Sequence, residues 1–154
     1  MKILMVCLGN ICRSPLADGL LRAKVEEAGL SVDVDSAGTS GLHAGEAPDT
    51  RMRETARKFG YSIDALKSRQ FTVDDFDTFD LIYVMDGSNY TNILSLARNK
   101  GDEDKVTLIL DELHPGERME VPDPYFGGDQ GFIHVYELLN EATDRIINKL
   151  KSNG

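Results

Sequence analysis

Three short runs in this chain are apolar almost without interruption: Lys2–Val6 (KILMV), Asp80–Met85 (DLIYVM) and Val106–Leu110 (VTLIL). A strand with one face in water alternates apolar and polar residues, so unbroken runs like these belong to strands covered on both faces. The stretches between them have helical spacing. Pro15 stands where a first helical turn begins, and Leu16, Leu20, Ala23 and Ala28 carry an apolar stripe toward Gly29. Pro48–Phe59 repeats the pattern through Met52, Ala56 and Phe59, Asn89–Arg98 predicts another helix, and Gly131–Leu150 spaces Phe132, Val135, Leu139, Ala142, Ile146 and Leu150 by threes and fours. Val32–Asp35 supplies one more strand. Strands alternating with helices predict an α/β fold: a doubly wound, four-stranded parallel sheet with helices on both faces, as one domain over residues 1–154.

Composition narrows the function. At 154 residues, 41% of them hydrophobic, the chain can bury a core without disulfide or metal staples. No apolar run approaches the roughly 20 residues of a membrane span. The apolar run Ile3–Leu8 is shorter than the roughly 7–15 residues of a signal-peptide core and has no small-residue cleavage site after it. The only cysteines are Cys7 and Cys12, which suits a cytoplasmic protein with free thiols. The net charge is −9, from 26 acidic and 17 basic side chains, and no basic cluster offers itself to nucleic acid. His43, His114 and His134 share no ligand spacing, so neither a metal site nor a cofactor is expected. Any anion must be held by local positive potential.

Such a site follows the first strand. In doubly wound sheets ligands bind beyond the carboxyl ends of the strands, and here that turn reads Cys7-Leu8-Gly9-Asn10-Ile11-Cys12-Arg13-Ser14-Pro15. Gly9 and Asn10 tolerate left-handed backbone, so the loop can curl and aim successive N–H groups inward, and a helix N-terminus follows directly. Arg13 adds a planar fork for two phosphate oxygens. Cys7, at the strand end, lies in the same positive field, which favours its thiolate and makes it a nucleophile facing a bound phosphorus. Cysteine, five residues, then arginine is a weak pattern alone. The buried strand before it and the proline-started helix after it make it specific.

Cys7–Pro15, continued by Leu16-Ala17-Asp18, resembles the phosphate-binding loop of the low-molecular-weight protein tyrosine phosphatases, in a form like the bacterial members. Four further stretches resemble that family in order and spacing: Asp35-Ser36-Ala37-Gly38, Arg69-Gln70 with Asp74-Asp75-Phe76, Met85-Asp86-Gly87-Ser88-Asn89, and Asp123-Pro124-Tyr125-Phe126-Gly127. The resemblance implies that Cys7 attacks phosphorus, that Arg13 and the loop amides of Leu8, Gly9 and Ile11 hold the phosphate, and that Asp123 protonates the leaving group, with no metal. It implies that Ser14 hydrogen-bonds the Cys7 sulfur and that Asn10 braces the loop by bonding Ser36. Cys12 would form a protective disulfide with Cys7, making the enzyme redox-sensitive. Tyr125 and Phe126 would flank a phenyl ring at the pocket mouth. Asp86 and Asn89 are expected to begin a helix.

Two positions depart from the family pattern. Leu42 stands where many members carry an aromatic wall of the substrate cleft, and Leu66 where some have a histidine joining the Asn10–Ser36 network. Within the family, threonine at the position of Ile11 accompanies phosphoarginine preference, so Ile11 points to phosphotyrosine. The implied partners are phosphotyrosine proteins, a bacterial tyrosine kinase among the candidates, and a monomer is expected. Three alternatives stand beside this: a protein arginine phosphatase of the same family, an arsenate reductase, which needs later resolving cysteines that this chain lacks, and a non-catalytic phosphotyrosine-binding module.

Overall fold

A computed structural model describes residues 1–126 and 128–153, the side chains of Phe126 and Asn153 excepted. Strand β1 (Lys2–Cys7) is the second of four parallel strands in the order β2-β1-β3-β4, where β2 is Asp33–Gly38, β3 Leu81–Val84 and β4 Val106–Leu108. Ile3, Leu4, Met5 and Val6 are fully buried, because β1 has a neighbour on each edge and a helical layer on each face. The period of two sorts its side chains. Ile3, Met5 and Cys7 join the core under α1 (Arg13–Ala28), α2 (Thr50–Lys58) and α6 (Gly128–Asn153), while Leu4 and Val6 join the core on the opposite face with Phe76 of α3 (Asp75–Thr78) and Ile93 of α4 (Gly87–Leu94). Each fully buried aliphatic side chain of this kind contributes about 1.5–3 kcal/mol.

Helix ends follow their caps. Gly29, at φ 67°, ends α1 with Leu30 N donating to Val25 O at 3.0 Å, a left-handed stop that glycine takes without a Cβ penalty. Asp49 accepts from Arg51 N and Met52 N and so starts α2 at Thr50, two residues after Pro48. Asp86 likewise starts α4 at Gly87, and the helix ends at Leu94, short of Arg98. α6 begins at Gly128, before the first apolar position of its stripe.

Three differences from the periodicity have local causes. β2 extends through Ser36, Ala37 and Gly38, residues of poor strand propensity, because they pair with Met5, Val6 and Cys7 of a strand already fixed in the sheet. β4 stops at Leu108, and Ile109–Glu112 coil into a 3₁₀ turn although Ile109 and Leu110 stay buried. The short helices α3 and α5 (Lys100–Asp104) span too few residues to show a period; Asn99 caps α5 through Asp102 N. Among the described residues no helix is long and apolar enough to cross a membrane.

Candidate active site

β1 delivers Cys7 to the carboxyl edge of the sheet, where it is 3% exposed, and the loop from Leu8 to Cys12 turns the chain into α1. The carbonyls of this loop are drawn outward by three separate segments. Cys7 O accepts from Thr39 N, Leu8 O from Ser40 N, Gly9 O from the Ser68 hydroxyl at 3.0 Å, and Ile11 O from Asp49 N at 2.7 Å. A peptide whose carbonyl points out turns its neighbouring N–H in. Among the described residues the N–H groups of Gly9, Asn10, Ile11 and Cys12 donate to no protein acceptor. Together with the start of α1 they form an anion cradle of unpartnered donors.

Asn10 alone takes the left-handed conformation, at φ 56°, where the sequence admitted Gly9 as well. Gly9 serves space instead: a Cβ there would come within 3.1 Å of the His43 ring. Gly38, at the end of β2, meets the loop backbone itself, since a Cβ would lie 2.8 Å from Leu8 O. Asn10 does not bond Ser36 as expected. Its Nδ2 donates to Ser14 Oγ at 2.7 Å and its Oδ1 accepts from Arg69 N at 3.1 Å. Ser36 sits beside the fully buried Asp18, where burial raises the carboxyl pKa and Arg22 and Ser36 pull it back. Leu66 packs into the core, and Arg69 closes the brace from its main chain.

Ser14 Oγ lies 3.0 Å from Cys7 Sγ, so the chain Asn10–Ser14–Cys7 is continuous and buried. Arg13 is 3% exposed and held from behind, with Nη1 donating to Asp86 Oδ2 at 2.7 Å and to Val121 O at 2.9 Å. Burial works against the Arg13 charge, but Cys7 and Asp86 outweigh it and raise its pKa. Asp86 therefore has two tasks: Oδ1 caps α4 through Asn89 N at 2.8 Å, while Oδ2 aims Arg13. The sequence offered only the first. Asp86→Asn keeps the capping oxygen and loses the charge facing Arg13. It should lower kcat/KM on aryl phosphates by about 10- to 100-fold with little change in melting temperature, and an unaltered kcat/KM would remove the aiming role.

A cavity of about 260 Å³ opens over this loop, lined by Cys7, Leu8, Gly9, Ile11, Cys12 and Arg13 with His43, Asp123 and Tyr125. Tyr125 and Leu8 are both half exposed, so they lie at its mouth. The Phe126 side chain and Gly127 lie outside the described residues. Leu42 is not the wall of this cavity; it stands 81% exposed, away from the lining. A turn closed by Ala44 N on Gly41 O presents His43 there instead, with Nδ1 2.8 Å from Glu46 Oε2. In the sequence His43 raises only the question of a metal ligand, and no local pattern marks it as a wall.

A cysteine-and-arginine loop at the carboxyl ends of a parallel sheet defines a class of phosphate-handling enzymes. The family model of the low molecular weight phosphotyrosine protein phosphatases matches residues 2–154, and the chain belongs to that family. A Synechocystis protein, slr0328, is 47% identical over 152 residues, covering 97% of this chain and 96% of its own. Among solved structures, a protein tyrosine phosphatase from Entamoeba histolytica superposes with a TM-score of 0.92 at 38% identity, covering 99% of this chain and 98% of its own. DARP, a Drosophila arginine phosphatase, superposes at 0.91 with 31% identity over the whole of both chains.

Proposed function

We propose that this chain hydrolyses phosphotyrosine in proteins through a cysteinyl-phosphate, and the observation that carries this is the Cys7 sulfur set beneath the unpartnered loop amides and Arg13. The Cys7 thiolate attacks phosphorus while Arg13 and the amides take up the charge on the equatorial oxygens, which makes a metal unnecessary. Asp123 gives its proton to the departing phenolate, then takes one from the water that attacks the cysteinyl-phosphate. Phosphate leaves, and the hydrogen bond from Ser14 eases departure of the sulfur. Asn10 holds Ser14 for that task. Tyr125 at the mouth suits an aromatic stem, and the partners are phosphotyrosine proteins, a tyrosine kinase among them, met by a monomer in the cytoplasm.

The likeness to an arginine phosphatase supports a second reading, the hydrolysis of phosphoarginine. Ile11 at the loop favours phosphotyrosine. Turnover of phosphotyrosine, phosphoarginine and phosphoserine peptides in EDTA decides between them. Phosphotyrosine should be hydrolysed fastest; faster release from phosphoarginine would reverse the order, and none from any peptide would leave a binding module.

Cys7 and Cys12 are both free thiols. In the redox role assigned to Cys12, peroxide converts Cys7 to a sulfenic acid, and the Cys12 thiolate displaces hydroxide to form the disulfide. Burial, then Asp49 and Cys7, push the Cys12 pKa up to about 12. Below that pKa the thiolate fraction grows tenfold per pH unit, so protection should strengthen as pH rises from 7 to 9. Cys12→Ser should lose activity to peroxide irreversibly. Equal recovery of both proteins with dithiothreitol would count against the disulfide.

A further inference from the structure

Arg51, in the first turn of α2, joins the phosphate loop to the loop that carries Asp123, and none of the steps above employs it. We infer that Arg51 is a positioning residue for Asp123, acting through Tyr125, and that it serves protonation of the leaving group rather than capture of phosphate. This rests on Asp123 being the general acid.

One end of the bridge is rigid. Asp49 N donates to Ile11 O at 2.7 Å, which ties the start of α2 to the phosphate loop. The Asp49 carboxylate then accepts from Arg51 N at 2.8 Å, and its two oxygens lie 3.4 and 3.5 Å from Arg51 Nε and Nη2. Main chain and guanidinium are thus oriented by one carboxylate. The guanidinium carbon also lies 4.7 Å from the ring centroid of Phe132, which is 1% exposed in α6.

The other end reaches the acid. The guanidinium carbon is 5.3 Å from the Tyr125 ring centroid, within cation–π range, and Nη1 is 3.4 Å from Tyr125 O. Tyr125 N in turn donates to Asp123 Oδ1 at 3.1 Å. That bond fixes the rotation of the carboxyl group and leaves Oδ2 to carry the proton. Asp123 and Tyr125 are both exposed, and between them only Pro124 is buried, so burial holds the turn but not the two side chains themselves. Val121 is anchored by Met85 O and Arg13, and Phe132 by the core; Arg51 reaches the segment between those anchors. Proton transfer needs hydrogen-bond distance to the leaving oxygen, whereas phosphate capture depends on the cradle, to which Arg51 donates no hydrogen bond although its charge acts on the Cys12 thiol.

The test is a double-mutant cycle of Arg51→Gln with Asp123→Asn, read on aryl phosphates of rising leaving-group pKa. Arg51→Lys serves as a second variant that keeps the charge but loses the planar fork that lies over Phe132. On a phosphotyrosine peptide Arg51→Gln should lower kcat/KM, which reports the step that expels the leaving group and not the later hydrolysis, about tenfold, with vanadate affinity changed less than about twofold. The loss should shrink to about twofold on para-nitrophenyl phosphate and vanish in the Asp123→Asn background. Arg51→Lys should show the same dependence on leaving group with a smaller loss. A loss equal for all leaving groups, or of full size in the Asp123→Asn background, would overturn the inference, since Arg51 would then act on the cradle, on Cys7 or on the fold. An Asp123→Asn defect that is itself flat across leaving groups speaks against the acid, and is seen in that single variant before Arg51 enters.

Discussion

Cys7→Ser should abolish turnover, leaving less than about a hundredth of the wild-type rate, while phosphate and vanadate still bind. The two effects separate because the two functions use different atoms. Oxyanion binding depends on the amides of Gly9 to Cys12 and on Arg13, which Asp86 and Val121 O hold without help from the sulfur. In the proposed mechanism attack on phosphorus depends on the sulfur alone, and a serine hydroxyl at neutral pH is a far weaker nucleophile than a thiolate. A serine side chain still reaches the Ser14 hydroxyl, so the buried chain from Asn10 need not rearrange. Steady-state rates on para-nitrophenyl phosphate, with vanadate affinity followed by calorimetry, give both quantities. Residual activity above a hundredth would assign the nucleophile to another group. Loss of vanadate binding together with activity would mean that the sulfur shapes the cradle.

Asp123→Asn should lower the rate on a phosphotyrosine peptide by about 10²–10⁴-fold, because an unprotonated phenolate of pKa about 10 is a poor leaving group. The defect should narrow for para-nitrophenyl phosphate, whose phenolate is a more stable anion and departs with less help. Asparagine keeps an oxygen for Tyr125 N, so the turn at 123–125 survives the change while the transferable proton does not. A defect of constant size across aryl phosphates would make Asp123 a loop-positioning group and send the search for the acid elsewhere in the cavity, whose lining also includes His43 and Tyr125.

What the sequence determined by itself lies close together along the chain. Unbroken apolar runs imposed strands buried on both faces, and helical stripes between them imposed a parallel sheet. The cysteine, the curling loop, the arginine and the proline-started helix all fall between Cys7 and Pro15, so local geometry alone assembles them. Resemblance extended this to Asp123. The tertiary structure decided what the loop leans on. Arg13 meets Asp86 and Val121, 73 and 108 residues away, and Asn10 meets Arg69 across 59. Such partners depend on where four strands bring their carboxyl ends, and no periodicity encodes that. Asn10 bonds Ser14 and Arg69 rather than Ser36, and the turn at 41–44 rather than any sequence pattern sets His43 and not Leu42 at the cavity. Arg51 belongs with them. On the sequence it is one arginine among several on a polar helix, and only packing α2 against α6 brings its guanidinium between the Phe132 ring of the core and the tyrosine beside the acid.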